Sequence, residues 1–309
     1  MDSRQISERI ARMAWIDRVA VPLQKTVGQA FRSSGETGRK VEAFLHGKFL
    51  GHPLHPVTVH LPIGAWILAA ILDPWGGSLA ARAAADAAVG FGVFGALVAS
   101  ITGAADFYPY GDASVRRIGG LHAILNWVAI ALYALSLVSR AEDARDLGRV
   151  LSYLGFFTVS ASGYLGGLLV YEKRIGVNHA VLVEDETAPG QWTKVAKLSE
   201  LPEGLPFRTS AGEIPLVLIR RGDRVDALAN VCSHQGGPLS EGHVANGCIE
   251  CPWHATRFSL ETGEAVSGVG IFAQPKYPVR IENGDVQVAA MMPEVPVEVE
   301  TPSGRASLR

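Results

Sequence analysis

The sequence predicts a multidomain chain: an N-terminal all-α transmembrane bundle of four helices, followed by a small all-β domain. Three observations predict it. Apolar residues make up 48% of the 309 positions, and the excess is concentrated before residue 175, which points to membrane spans rather than to a larger soluble core. After Asn178 the texture changes to short β-type runs separated by turns. In this C-terminal region a pair of boxes, Cys232-Ser233-His234 and Cys251-Pro252-Trp253-His254, brings two thiols and two imidazoles within reach of one another. The formal net charge of −2 and the lack of a long basic run give no basis for nucleic-acid binding.

Residues 1–50 are expected to form a basic amphipathic segment without a secretory signal. Ile6, Ile10, Met13 and Val19 recur at roughly helical spacing among Arg4, Arg9, Arg12, Arg18 and Lys25. A helix lying on a membrane surface and an ordinary solvated helix both fit that pattern. The stretch Ser33-Ser34-Gly35-Glu36-Thr37-Gly38 reads as a break.

Residues 51–178 hold four apolar runs, at 57–72 (prolonged through Trp75), 83–105, 121–138 and 147–171. Each approaches the ~20 residues that a helix needs to cross ~30 Å of hydrocarbon. None alternates as a strand does, and only helices or closed barrels satisfy their backbone in lipid. Trp66, Trp75, Tyr108, Tyr110 and Tyr171 fall toward run ends, as interfacial aromatics do. Gly95, Ala99 and Gly103 recur every four residues, and Gly163 with Gly167 forms G-x-x-x-G, faces on which spanning helices pack closely. Lys and Arg are plentiful before the first run, at Arg116-Arg117 and at Lys173-Arg174; Arg82, Arg140, Arg145 and Arg149 fall on the other side. The balance places both termini in the cytoplasm of a cell whose inner membrane the bundle crosses.

Residues 179–292 are expected to be a β domain, with strands near 180–183, 216–220, 225–229, 248–250, 257–260, 278–281 and 286–289. Residues 293–309, rich in Pro, Glu and Val, read as a disordered tail.

The run Cys232-Ser-His-Gln-Gly-Gly-Pro-Leu-Ser-Glu-Gly … Cys251-Pro-Trp-His-Ala-Thr-Arg-Phe resembles the Rieske [2Fe–2S] domain, in which two His replace two Cys on one iron. The resemblance covers about residues 180–290. It implies an antiparallel β-sandwich whose tip loops clamp the cluster, with Cys232 and Cys251 on one iron and His234 and His254 on the other. Rieske proteins of cytochrome bc-type complexes carry a bridging Cys pair where this chain has Gly237 and Trp253. They place Ser and Tyr donors against the cluster where it has Thr256 and Phe258. Fewer donors to sulfur lower the potential, so the lower half of the range is expected, nearer ~−150 mV than ~+300 mV. The pattern is similar to that of ferredoxins of aromatic-ring oxygenases. Ala255 departs from the Gly usual after the second His. Cys248 reads as a small structural residue. The membrane half, with its His52-Pro53-Leu54-His55-Pro56 box, resembles an uncharacterised four-helix bacterial membrane domain sometimes fused to Rieske domains.

Ionisable groups at membrane depth mark functional sites by default. His46, His52, His55, His60, His122, Asp106 and His179 gather toward one membrane face. One reading pairs His60 with His122, near Asp106, around a haem b or a quinol. The other leaves them as interfacial His satisfied by water and headgroups, with His52 and His55 fixing the entry to the first span. The expected function is a membrane-anchored, low-potential carrier passing single electrons to or from a protein partner or quinol, a redox component rather than a stand-alone enzyme. A structural zinc module and a cluster-based redox sensor are the alternatives. A terminal Rieske oxygenase needs a downstream two-His, one-carboxylate iron site, and no His follows His254.

Overall fold

The computed structural model describes residues 3–75, 78–180 and 192–289. The expected tail, and the strand near 180–183 beyond Ala180, lie outside the described residues.

Three helices open the chain: α1 (Ser3–Ala11), α2 (Asp17–Ser33) and α3 (Gly35–Leu45). The anticipated break becomes the corner between α2 and α3, where Gly35 takes φ 56°. Three residues of the apolar stripe, Ile6, Ile10 and Met13, pack on the bundle, while Val19 is exposed. Ile10, Ile16 and Ala20 are buried with Ile118, Leu165 and Leu168. A Cβ on Gly120 would sit 2.7 Å from Ile16, so that glycine sets the close approach. Asp17 is gripped by Arg116 at 3.0 Å and Arg117 at 2.8 Å, and those hydrogen bonds hold its carboxyl down to about 2.

The spans follow. Helix α4 (His55–Thr58) runs almost directly into α5 (His60–Leu72); α6 (Leu79–Phe107), α7 (Ala113–Ala141) and α8 (Arg145–Gly167) succeed it, and a π-turn extends α8 to Glu172. All four, His55–Trp75, Leu79–Phe107, Ala113–Ala141 and Arg145–Glu172, are long and apolar enough to cross a membrane. Large apolar side chains, Ile71, Phe94, Ile101, Leu135 and Phe157 among them, point outward, as a hydrocarbon solvent permits. Asp112 caps α7 by accepting from the amides of Ser114 and Val115.

The helix contacts correct two expectations. Trp66 is not interfacial: it is buried and stacked on Tyr133 at 4.0 Å. A Cβ on Gly163 would meet nothing within 4 Å among the described residues, and one on Gly167 only Tyr171 a turn on, so the G-x-x-x-G pair is not a packing face. The expected face at Gly95 and Gly103 does pack, against Leu61 and His55, and Gly92 against Trp66 and Gly155 against Tyr133 make further close approaches. At the end of the bundle remote from α1, Arg140 binds Asp73 and Asp86, and Arg145 also binds Asp86.

Among the described residues the C-terminal domain contains three small antiparallel sheets. The first is β1 (Trp192–Lys197), β11 (Asp285–Ala289) and β10 (Val279–Glu282); the second is β2 (Pro206–Ala211), β3 (Ile214–Arg221), β4 (Arg224–Ala229) and β9 (Lys276–Tyr277). The third is β5 (His243–Ala245), β6 (Cys248–Glu250), β7 (Arg257–Ser259) and β8 (Ala265–Ser267). Strand β3 joins two cores. Leu216 and Leu218 face one, with Val286 and Val288; Val217 and Ile219 face the other, with Leu239, Ile249 and Phe258. The second core carries Cys232 and Cys251 at its rim.

Candidate functional site

Two loops with the same hydrogen-bond pattern present the four expected ligands. In the first, the Cys232 amide donates to Gly237 O and the Gly236 amide to Cys232 O. In the second, the Cys251 amide donates to Thr256 O and the Ala255 amide to Cys251 O. The fifth position of each loop needs φ > 0: Gly236 supplies 78° and Ala255 supplies 54°. The Ala255 departure thus costs strain, not a different loop.

Supports lock the loops. Gln274 donates from Nε2 to Ala229 O and Val231 O and accepts from the Ser233 amide. Ser233 donates to Phe272 O, and the Gly270 amide donates to Thr256 Oγ1. Gly237 is required by space, because a Cβ there would lie 2.9 Å from Cys251 Sγ and 3.0 Å from the Trp253 ring. Phe258 is fully buried and Cys248 stands in β6, paired with Ser259.

The donors sort into two pairs. The thiols of Cys232 and Cys251 are hydrogen-bonded; that bond, with the amides of Trp253 and His254, brings Cys251 down to about 7, while the same bond and burial push Cys232 up. The rings of His234 and His254 lie 4.9 Å apart and nearly perpendicular. Burial, and then the neighbouring His254, His46 and His179, hold His234 down to about 3; burial lowers His254. Both are neutral at pH 7, as metal-binding imidazole must be. His234 Nδ1 is buried without a hydrogen-bond partner, a cost tolerated where a ligand completes the site.

The helical half reaches this site. Tyr110, in the connection between α6 and α7, is only 6% exposed. Its ring stacks on His234 at 5.6 Å and lies 6.3 Å from His254. Its hydroxyl is 3.5 Å from His234 Nε2, and burial raises its pKa. The His179 amide donates to Ser233 O across the same seam. His254 keeps an open side, in a surface cavity of about 330 Å³ with Glu241, Glu250 and Trp253.

The membrane-face set is only partly assembled. Asp106 does not join His60 or His122; its Oδ1 is 2.9 Å from Nδ1 of buried His46. His60 is exposed, and among the described residues its ring bonds to Val57 O, one turn back in α4. The ring beside His122 is that of His55, at 6.5 Å. His52 bonds to Pro53 O, and His179 to Arg174 O. The contact of Tyr110 with the His pair and that of His46 with Asp106 are not legible in the sequence; the one signal is that Tyr110 and Asp106 stand together at the end of an apolar run.

Comparison with known proteins finds two families. Residues 191–278 match the Rieske [2Fe–2S] domain, and residues 51–179 match a family of predicted membrane proteins, DUF2231. The chain is 34% identical over 103 residues to the anthranilate 1,2-dioxygenase ferredoxin subunit of Burkholderia cepacia, 33% of this chain and 95% of that one. It is 33% identical over 99 residues to ferredoxin CarAc of Metapseudomonas resinovorans, 32% of this chain and 92% of that one. Among solved structures, the ferredoxin of carbazole 1,9a-dioxygenase from Nocardioides aromaticivorans IC177 aligns with 33% of this chain and 100% of its own, at 30% identity and a TM-score of 0.32.

Proposed function

The chain belongs to the Rieske [2Fe–2S] family through its C-terminal domain, and on that premise we propose that it is a membrane-anchored, ferredoxin-type electron carrier. Cys232 and Cys251 would hold one iron, and His234 and His254 the other. When bound, the cluster supplies reversible one-electron chemistry at a potential set by its ligands and their hydrogen bonds. The observation that carries the reading is the sorting of donors into a thiol pair and an imidazole pair, with His234 Nδ1 buried and unpartnered. A single zinc ion asks for four donors converging on one point, whereas a two-metal cluster takes one pair at each end.

This chain's residues have three tasks in that role. The amides of His234 and Gln235 aim at the Cys232 sulfur, those of Trp253 and His254 at the Cys251 sulfur, favouring thiolate. Leu239, Ile249 and Phe258 exclude water behind the thiols. Tyr110 covers the His234 edge, so the exchange with the membrane half runs through its ring, while the open side of His254 is left for a soluble redox protein. Gly237, Trp253 and Phe258 support a midpoint in the lower half of the family range, nearer ~−150 mV than ~+300 mV. The four spans hold the carrier at a cell membrane, with the Lys and Arg balance favouring a cytoplasmic Rieske domain.

The test is the detergent-purified full chain. Two irons and two acid-labile sulfides per chain are expected, with a rhombic EPR signal below the free-electron value on dithionite reduction. Cys232→Ser and Cys251→Ser should lose them and Cys248→Ser should not. A colourless chain carrying one zinc would refute the proposal.

A further inference from the structure

We propose that His55 and His122 hold an iron porphyrin between them, inside the bundle on the side that meets the β domain. The tautomers come first. His55 Nδ1 is 2.9 Å from Ala99 O, and His122 Nδ1 is 2.8 Å from Ser162 O. A carbonyl can only accept, so each Nδ1 carries the proton and each Nε2 keeps its lone pair. Asn126 agrees: its amide nitrogen, a donor, lies 3.0 Å from His122 Nε2. A carbonyl at Nδ1 is also the support that orients a metal-bound imidazole.

The spacing fits. The ring centroids are 6.5 Å apart, and the rings are perpendicular. Two imidazoles on opposite sides of one metal, each bonded at about 2.0 Å, place their centres about 6 Å apart.

The arrangement is built twice. His55 bonds the carbonyl of Ala99, and four residues on, a Cβ at Gly103 would lie 2.8 Å from His55 Cε1. His122 bonds the carbonyl of Ser162, and four residues on, a Cβ at Gly166 would lie 3.4 Å from His122 Cε1. A hydroxyl stands by each Nδ1, Thr102 Oγ1 at 3.3 Å and Ser162 Oγ at 2.9 Å. The first span on α6 thus repeats α7 on α8.

The surroundings suit a broad apolar ligand. One buried apolar cluster of the bundle centres on Trp66 and Tyr133 and the other on Ile118 and Leu165. Beside the His pair, Gly103 against His55 and Gly166 against His122 are half-buried rather than closed. A bare ion does not fit two neutral donors: zinc asks for four, and among the described residues no third His, Cys, Asp or Glu joins the pair to hold a metal ion. A porphyrin brings its own four nitrogens and needs from the protein only axial ligands. Asn126 then turns aside from His122 Nε2.

The proposal stands apart from the cluster assignment and is read by a different signal. The full chain, produced in cells fed a haem precursor and purified in detergent, is assayed by pyridine haemochrome and by reduced-minus-oxidised spectra. One haem per chain is expected, with a highly anisotropic low-spin ferric EPR signal from perpendicular imidazoles. His55→Ala and His122→Ala should each lower haem content at least tenfold, and His60→Ala should leave it unchanged. His122→Gly with added imidazole should recover the Soret band, which separates lost ligation from misfolding; cluster content reports folding independently. A cluster-loaded chain that takes up no added hemin would overturn the proposal, as would full haem content in either His55→Ala or His122→Ala.

Discussion

Arg140→Met should be among the most damaging single changes outside the iron–sulfur site. Arg140 is 6% exposed and Asp73 is 2% exposed. The guanidinium gives two bonds to Asp73, at 2.6 and 2.8 Å, one to Asp86 at 2.9 Å, one to Ser152 at 3.1 Å and one to Ser136 at 3.0 Å. These partners come from the end of α5 and from α6, α7 and α8, so one side chain ties all four spans. Removing one partner of a buried ion pair strands the other's charge, at about 3–5 kcal/mol. For a unit of 150–250 residues each kcal/mol moves the midpoint by about 2–4 °C, so a drop of about 6–20 °C is expected in detergent-solubilised protein followed by circular dichroism. Asp86 keeps Arg145, so the stranded charge is that of Asp73. Arg140→Met combined with Asp73→Asn should therefore recover much of the loss. The network lies at the far end of the bundle from Tyr110, so cluster content and EPR line shape should not change in the variants at 25 °C. A single variant that melts within about 4 °C of the parent, or a double variant no better than the single, would refute the stranded-charge argument.

Three further outcomes follow from the geometry. Tyr110→Ala should expose the His234 edge and increase the rate at which a small soluble oxidant bleaches the reduced cluster, whereas Tyr110→Phe, which keeps the stack and loses only a hydroxyl contact at 3.5 Å, should leave that rate near the parent's. Asp17 has a folded pKa held down to about 2 from an ordinary 3.8, so its contribution to docking of α2 on α7 is complete above about pH 4 and lost as pH falls toward 2; hydrogen exchange in α1 and α2 should rise in that window, and Asp17→Asn should remove the pH dependence. Ala255→Gly relieves a residue at φ 54° against a more flexible unfolded chain, for a net gain of about 0.5–1 kcal/mol, read as a higher temperature of cluster release; Gly236→Ala should move it the opposite way.

What is legible in the sequence is what physics makes local or continuous. Lipid demands an unbroken apolar exterior, so the four spans can be read from composition, three of them within a few residues of their ends; the third begins at Ala113, eight residues before its apolar run, because Arg116 and Arg117 bind Asp17 of α2 rather than water. The boxes at Cys232 and Cys251 can be read because ligand and loop chemistry are adjacent in the chain. Strands β2, with Arg208 and Ser210 turned out, and β1 and β8 escape such a reading because short polar strands draw their stability from partners elsewhere. Aromatic residues near span ends look alike in sequence, yet Trp75 and Tyr171 are exposed, while Trp66 is core and Tyr110 covers His234, 124 residues away in the chain. The His set has the same cause. His60 stands at the head of an apolar run and looks like the inward residue, but it is five residues from His55. At 3.6 residues per turn the two are about 140° apart, and α4 runs into α5 with scarcely a break, so both cannot face the bundle. The carbonyl of Ala99 and the bare edge of Gly103 receive His55; that choice turns His60 out and brings His55, not His60, to His122.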